Sequence, residues 1–289
     1  MDVAQIGAAT VKELRERTGV GMMDCKKALM EADGNLERAA DLLRERGLSK
    51  ARRREGRETS EGLIVASVSA DGRAGALAEV KCETDFVAKT PDFQALALSL
   101  AELVRDHGPD GVDALLALRV PGREGNARDQ LVEAVSKLGE NIQVSRLTRL
   151  EGEQGSLVSS YIHAGGKIGT LVKLEAPDPA APEVSKLGHN LCMHVAATSP
   201  QSVSREDMSS EEIERERKIL ENQASGEGKP AAVIAKMVEG RLNKYFKEIV
   251  LLEQTLVMDP DQTVASAVEA VGARVAAIAR FQLGEKPRA

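Results

Sequence analysis

Ala76-Leu77-Ala78-Glu79-Val80-Lys81-Cys82-Glu83-Thr84-Asp85-Phe86-Val87-Ala88-Lys89 changes character halfway along. Residues 76–80 are apolar and strand-like, and Pro91 and a helical pattern from Asp92 follow Lys89. The stretch therefore reads as a strand exit running into a connector before a helix. Such connectors lie at the surface and carry function more often than the elements they join. The chain has four Phe, two Tyr and no Trp, and Phe86 stands here beside Asp85. A large apolar ring next to an acid on a strand-to-helix connector is a candidate contact group. The alternative is a local core plug made by Phe86 and Val87, because most Phe are buried for packing.

On either side of this stretch the pattern is strand, turn, strand, helix. Residues 63–68 and 76–80 flank Asp71-Gly72, a hairpin signal. Residues 93–104 read as an apolar-rich helix, and 110–139 continue helical, with Leu131, Val132, Val135 and Leu138 at helical spacing up to Gly139. Residues 142–150 alternate like a half-buried strand. The order then recurs: 157–162 and 168–174 flank Gly165-Gly166, and a helix over 184–197 follows. This predicts a duplicated antiparallel-sheet-plus-helix core in an α+β fold. The second copy ends its hairpin in Glu175-Ala176-Pro177-Asp178-Pro179 and has no Thr-Asp-Phe. A feature present in one copy of a repeated scaffold points to function rather than structure.

Before the core, residues 4–46 predict three short helices, broken at Gly19-Val20-Gly21 and at Asp33-Gly34-Asn35, where Asn35 caps the third. Met22, Cys25, Leu29 and Ala32 share one face of the second, and Gly47 is expected to stop the third. Met22 and Met23 are adjacent, so they cannot both face inward, and the outer one is adaptable enough to pack on another protein. Residues 1–48 resemble a three-helix, ubiquitin-associated-like (UBA-like) module, a small fold that usually binds partners, and 49–61 read as a basic linker. The core follows as 62–150 and 151–203. Residues 204–247 are an inserted helical hairpin, a coiled coil, whose helices cover 204–222, with a capping box at Ser204-Arg205-Glu206-Asp207, and 230–245. A break at 225–230 joins them. Residues 248–289 return to the core, with strands at 249–252 and 256–257, a short helix over 264–271 and a last strand over 275–283.

Composition narrows the function classes. A net charge of −6 and 2% aromatics argue against general nucleic-acid binding, which needs a basic surface and stacking platforms. No apolar run approaches the roughly 20 residues of a membrane span, and no basic-then-apolar start suggests a secretory signal. Three widely spaced cysteines, Cys25, Cys82 and Cys192, predict free thiols in a reducing cytoplasm. Gly165-Gly166-Lys167-Ile168 lacks the spacing and hydroxyl of a phosphate loop, so no direct nucleotide binding is expected. His189, Cys192 and His194 point to different faces of one helix, which predicts no metal site. No cofactor and no catalytic set is indicated. Two other classes stay open: an RNA- or ribosome-associated protein using 49–57, and a hydrolase or transferase on the duplicated core.

The run Glu79-Val80-Lys81-Cys82-Glu83-Thr84-Asp85-Phe86-Val87-Ala88 resembles the signature of the bacterial elongation factor Ts family, the guanine-nucleotide exchange factors of elongation factor Tu. So does the run from Val11 to Leu29, with Gly19-Val20-Gly21-Met22-Met23-Asp24-Cys25-Lys26-Lys27 at its centre. Further likeness lies in Lys137-Leu138-Gly139-Glu140-Asn141-Ile142, in 193–216 and in Lys236-Met237-Val238-Glu239-Gly240-Arg241, so the resemblance covers nearly the whole chain. Lys81 stands where the family often has Asn, and Thr255-Leu256 where Pro-Phe is usual.

The resemblance implies an exchange factor with no active site of its own, whose partner is elongation factor Tu, GDP-bound and nucleotide-free. It implies that Thr84, Asp85, Phe86 and Val87 contact the partner, Phe86 as a wedge and Asp85 helping to displace the groups that hold magnesium and phosphate. It assigns Lys12, Arg15, Met22 and Met23 to a second anchor on the same GTPase domain. The sequence leaves the assembly open, a homodimer or 2:2 complex included.

Overall fold

The computed structural model describes residues 6–226 and 230–285; the break expected at 225–230 therefore lies partly outside the described residues, as do the side chains of Leu48, Lys50 and Arg52. The chain divides into two units. One holds Met1–Val65, Ala78–Leu147 and Leu283–Ala289, the other Ala66–Leu77 and Thr148–Gln282.

Three helices open the first unit: α1 (Ala8–Thr18), α2 (Met22–Glu31) and α3 (Leu36–Arg54). Their shared core is Val11, Leu14, Cys25, Ala28, Leu29, Ala32, Ala39 and Leu43. Gly19, at φ 67°, ends α1 by donating its N–H to the Arg15 carbonyl, and Asn35 caps α3 by accepting from the Arg38 N–H. The expected stop at Gly47 does not occur. The helix runs through it to Arg54 and takes up most of the basic run expected as a linker. Gly47 serves close approach instead: a Cβ there would sit 3.2 Å from Ser136 Oγ. Arg54 donates to the Val135 carbonyl at 3.0 Å, so α3 lies along the helix that carries both residues. The expected inward face of α2 needs one correction, because Met22 is exposed.

Strands β1 (Glu61–Val68) and β2 (Ala74–Cys82) follow, then α4 (Asp85–Ala88), α5 (Pro91–His107), α6 (Val112–Ala117), α7 (Ala127–Leu138) and β3 (Ile142–Glu151). The sheet order is β1-β2-β3. Gly62 is required in β1: at φ 143° a Cβ would lie 2.2 Å from the Val80 carbonyl oxygen. The helix expected over 110–139 is two helices. Pro121, Gly122 and Gly125 interrupt it, an isolated bridge pairs Arg119 with Asn126, and Asn126 and Asp129 form a capping box that restarts it. Glu79 is buried in β2, where its carboxylate takes Arg146 Nε at 2.6 Å and the Gly284 N–H at 2.9 Å.

The second unit continues with β4 (Ser156–His163), β5 (Ile168–Glu175), α8 (Pro182–Thr198), α9 (Ser210–Ser225), α10 (Ala231–Ile249), β6 (Thr255–Leu256), β7 (Asp259–Thr263), α11 (Val264–Ala270) and β8 (Arg274–Gln282). Its larger sheet runs β4-β5-β8, antiparallel throughout, with β6 and β7 as a separate pair. A hairpin, then helix, then a third strand beside the hairpin's second strand is the order of both three-stranded sheets. The core of this unit joins Val172, Leu174, Leu191, Val195, Leu251 and Val264 among others.

The charged helix expected over 204–222 begins later. Ser204 and Asp207 do form a capping box, but it closes a single 3-10 turn (Arg205–Asp207), and a second box, Ser209 with Glu212, starts α9. Helices α9 and α10 pack through Leu220, Ala224, Val238, Leu242 and Phe246, and Arg217 pairs with Glu239 across them at 2.7 Å. The strand expected over 249–252 is absent: Ile249 ends α10 and Leu251–Glu253 is a 3-10 turn. The apolar run signalled burial, and Leu251 is fully buried, but a short apolar run does not distinguish strand from helix. Beyond it, Leu256 lies in β6 and Val257 in the exposed turn before β7. Among the described residues, no helix is long and apolar enough to cross a membrane.

Candidate functional site

Beyond Cys82 the strand ladder ends, and the connector folds into the four-residue helix α4 rather than an irregular loop. Thr84 is extended and caps this helix, its hydroxyl accepting from the Val87 N–H at 3.4 Å. Thr90 ends it from the other side, donating its hydroxyl to the Val87 carbonyl at 2.7 Å and capping α5 at the Phe93 N–H. Pro91 at the start of α5 needs no N–H partner there. Two caps six residues apart thus make one tight corner.

The corner sorts its side chains. Phe86 is 79% exposed, the most exposed large apolar side chain described. The core-plug alternative is therefore excluded for Phe86 and holds for Val87. Val87, grouped with the contact residues from sequence, is only 9% exposed and Ala88 3%; both face inward and anchor the turn. Asp85 is half-exposed and pairs with Lys89 at 2.6 Å, one helical turn on. This hydrogen bond to Asp85 raises the Lys89 ammonium above its ordinary pKa. The corner presents an apolar ring beside a cation-neutralised acid.

A carboxylate from elsewhere in the unit holds the corner. Glu140, in the turn between α7 and β3, accepts from the Glu83 N–H at 3.1 Å, the Thr84 N–H at 3.0 Å and the Thr84 hydroxyl at 2.5 Å. Glu83 returns the contact by accepting the Asn141 N–H at 2.6 Å. Asn141 in turn donates its side-chain amide to the Arg57 carbonyl at 2.8 Å. Gly139, at φ 82°, makes the left-handed end of α7 that turns Glu140 toward this contact. Below the corner, the Cys82 thiol donates to the Thr84 carbonyl at 3.1 Å. Burial, with the Glu140 charge as the next cause, pushes that thiol up to about 12. Sequence reasoning missed Glu140. Its signal was available in the acid that directly follows a helix-ending glycine.

The other contact residues expected from sequence lie on the three-helix module. Lys12, Arg15, Met22 and Met23 are all exposed, and none belongs to the module's core. Met22 is 56% and Met23 67% exposed, at the start of α2. Lys12 pairs with Glu16 at 3.7 Å.

His189, Cys192 and His194 have separate surroundings. His189 meets the Tyr161 ring edge-on at 5.8 Å. Cys192 is buried, and burial pushes its thiol up to about 12. His194 is fully buried between the Gln254 side chain, 2.8 Å from Nε2, and the Val257 N–H, which donates to Nδ1 at 3.2 Å. Among the described residues, no cluster of three His, Cys, Asp or Glu is arranged to hold a metal.

A family model described as Elongation factor TS matches residues 83–285, a span that opens on the corner. The Elongation factor Ts of Alkalilimnicola ehrlichii is 46% identical over 280 residues, covering 97% of this chain and 92% of the relative. That of Magnetococcus marinus is 45% identical over 286 residues, covering 97% and 93%, and that of Clostridium acetobutylicum is 43% identical with the same coverage.

Proposed function

We propose, for a chain that belongs to the elongation factor Ts family, that the corner at Asp85 and Phe86 is the part that drives exchange. The family's activity is guanine-nucleotide exchange on elongation factor Tu in translation elongation, and elongation factor Tu is the partner. The observation that carries the assignment to the corner is the exposure of Phe86 on a doubly capped, clasped turn. Leaving a Phe in water forgoes roughly 1.5–3 kcal/mol of burial, and the turn holds the ring out rather than letting it fold back.

Exchange follows from linkage. The factor binds nucleotide-free partner better than GDP-bound partner, and GDP weakens the factor by the same ratio as the factor weakens GDP. A coupling of roughly 10⁴ corresponds to about 5.5 kcal/mol. Phe86 alone supplies too little of that difference, so Asp85 and Thr84 add to it, and a separate anchor holds the factor on both nucleotide states of the partner. Lys12, Arg15, Met22 and Met23, solvent-facing on the UBA-like module, provide it. Phe86 then enters the GTPase domain, while Asp85 and Thr84 disturb the groups holding magnesium and phosphate; Val87 acts from beneath by fixing the turn. The factor needs no active site and no bound nucleotide of its own. Helices α9 and α10 form a short coiled coil whose exposed Ile219 and Val233 suit a further contact, in a homodimer or a 2:2 assembly. The chain works in the cytoplasm, where its three unpaired thiols stay reduced.

The test is release of fluorescent GDP from elongation factor Tu with the chain at substoichiometric amounts. Many equivalents released per molecule are expected, and no acceleration of a folded, loaded partner would refute the proposal.

A further inference from the structure

We infer that Glu140 is the positioning residue for exchange, holding Asp85 and Phe86 in their working orientation; the inference rests on the corner being the exchange contact. Phe86 is too exposed to be oriented by its own packing. A four-residue helix is also far too short to be stable alone. The direction of the ring is therefore set by whatever fixes the backbone beneath it.

That support is concentrated in one carboxylate. Three polar hydrogens, the N–H groups of Glu83 and Thr84 and the Thr84 hydroxyl, converge on Glu140 within 2.5–3.1 Å. All three belong to the two residues immediately before Asp85. The same Thr84 oxygen accepts the Val87 N–H, so Glu140 orients the group that caps α4. Glu83 returns a contact to the Asn141 N–H at 2.6 Å, which makes the clasp reciprocal and fixes it in two dimensions rather than as a single hinge. A glutamate with only a solubility role would face water or a surface cation, whereas Glu140 is partly buried. Hydrogen bonds to a charged acceptor are worth roughly twice neutral ones, so this carboxylate is the strongest single constraint on the corner.

The measurement is a double-mutant cycle in catalysed GDP release from elongation factor Tu, with kcat and KM determined separately. Glu140→Ala is expected to lower kcat on the order of tenfold, with KM for the GDP-loaded partner changed less than about twofold. Glu140→Gln should recover most of the loss, because its amide oxygen still accepts from the Glu83 and Thr84 N–H groups and its amide N–H₂ donates to the Thr84 hydroxyl. Added to Phe86→Ala, Glu140→Ala should cost clearly less than it does alone, since much of its effect runs through the ring's placement. A kcat unchanged by Glu140→Ala while Phe86→Ala is slow would overturn the inference and leave the contact reading standing. So would a loss that multiplies with that of Phe86→Ala. A normal kcat for Phe86→Ala would remove the contact reading itself, and the inference with it. If Glu140→Ala does not fold, Glu140→Asp, which draws the carboxylate back by one methylene from the Glu83 and Thr84 N–H groups, runs the same cycle with the same decisive outcomes.

Discussion

Phe86 and Val87 are neighbours in the chain and opposites in burial, 79% against 9% exposed, on the same four-residue helix. Exchange and stability should therefore separate between them. Phe86→Ala removes a side chain that the folded chain does not bury, so its unfolding free energy should stay within about 0.5 kcal/mol of the parent. Val87→Ala should cost about 2 kcal/mol in urea denaturation, from lost burial and a partly filled cavity.

The pair of buried Glu79 and partly buried Arg146 supports a different prediction. Glu79→Ala leaves the Arg146 guanidinium and the Gly284 N–H without the carboxylate they share. Losing charge-assisted hydrogen bonds at a mostly buried site costs about 1.5–3 kcal/mol. Urea denaturation should show a loss of that order, whereas Arg123→Ala, from a 3.5 Å pair whose partners are both more than half exposed, should change stability by less than about 1 kcal/mol.

His194 gives the pH dependence. Burial lowers its folded pKa below the ordinary 6.5, opposed in part by the hydrogen bond with Gln254. Nδ1 accepts the Val257 N–H, so Nε2 carries the proton and donates to Gln254, and a second proton has no place. The unfolded chain then binds more protons than the folded one at pH values just below 6.5. The contribution is fully present above 6.5 and is lost as pH falls from there through the depressed folded value. Stability measured between pH 7.5 and 5.5 should decline, and His194→Gln should flatten that decline while lowering stability at pH 7.5.

Thiol chemistry should be slow in the folded chain. Cys82 and Cys192 are buried and pushed up to about 12, so neither is an appreciable thiolate at pH 8, and Cys25 is fully buried. Native labelling with a thiol-reactive disulfide should be slow at all three and complete within minutes in denaturant.

Much of this was legible in the residues. The apolar, strand-like runs around Ala76 and Ile168, the turn glycines and the cap at Asn35 report local preferences that the tertiary structure keeps. The places that were not legible share a cause. Gly47 looks like a helix stop, but its bareness accommodates Ser136 of α7, a residue far away in sequence. Ile249 to Leu252 look like a strand because burial on all sides removes the periodicity that separates strand from helix. Phe86 could be marked as a candidate contact, but its outward direction depends on Thr84, Thr90 and Glu140 acting together. Glu140 itself escaped notice because its partners, Glu83 and Thr84, belong to another strand's exit.

The most direct test compares Phe86→Ala with the parent chain in two assays on the same elongation factor Tu: affinity for the GDP-loaded partner, and the rate of fluorescent GDP release at substoichiometric factor. The wedge account predicts that most of the affinity survives, carried by the three-helix module, while release slows by at least on the order of tenfold, roughly the burial of one Phe. Affinity and release falling by the same factor, or release left at the parent rate, would contradict it.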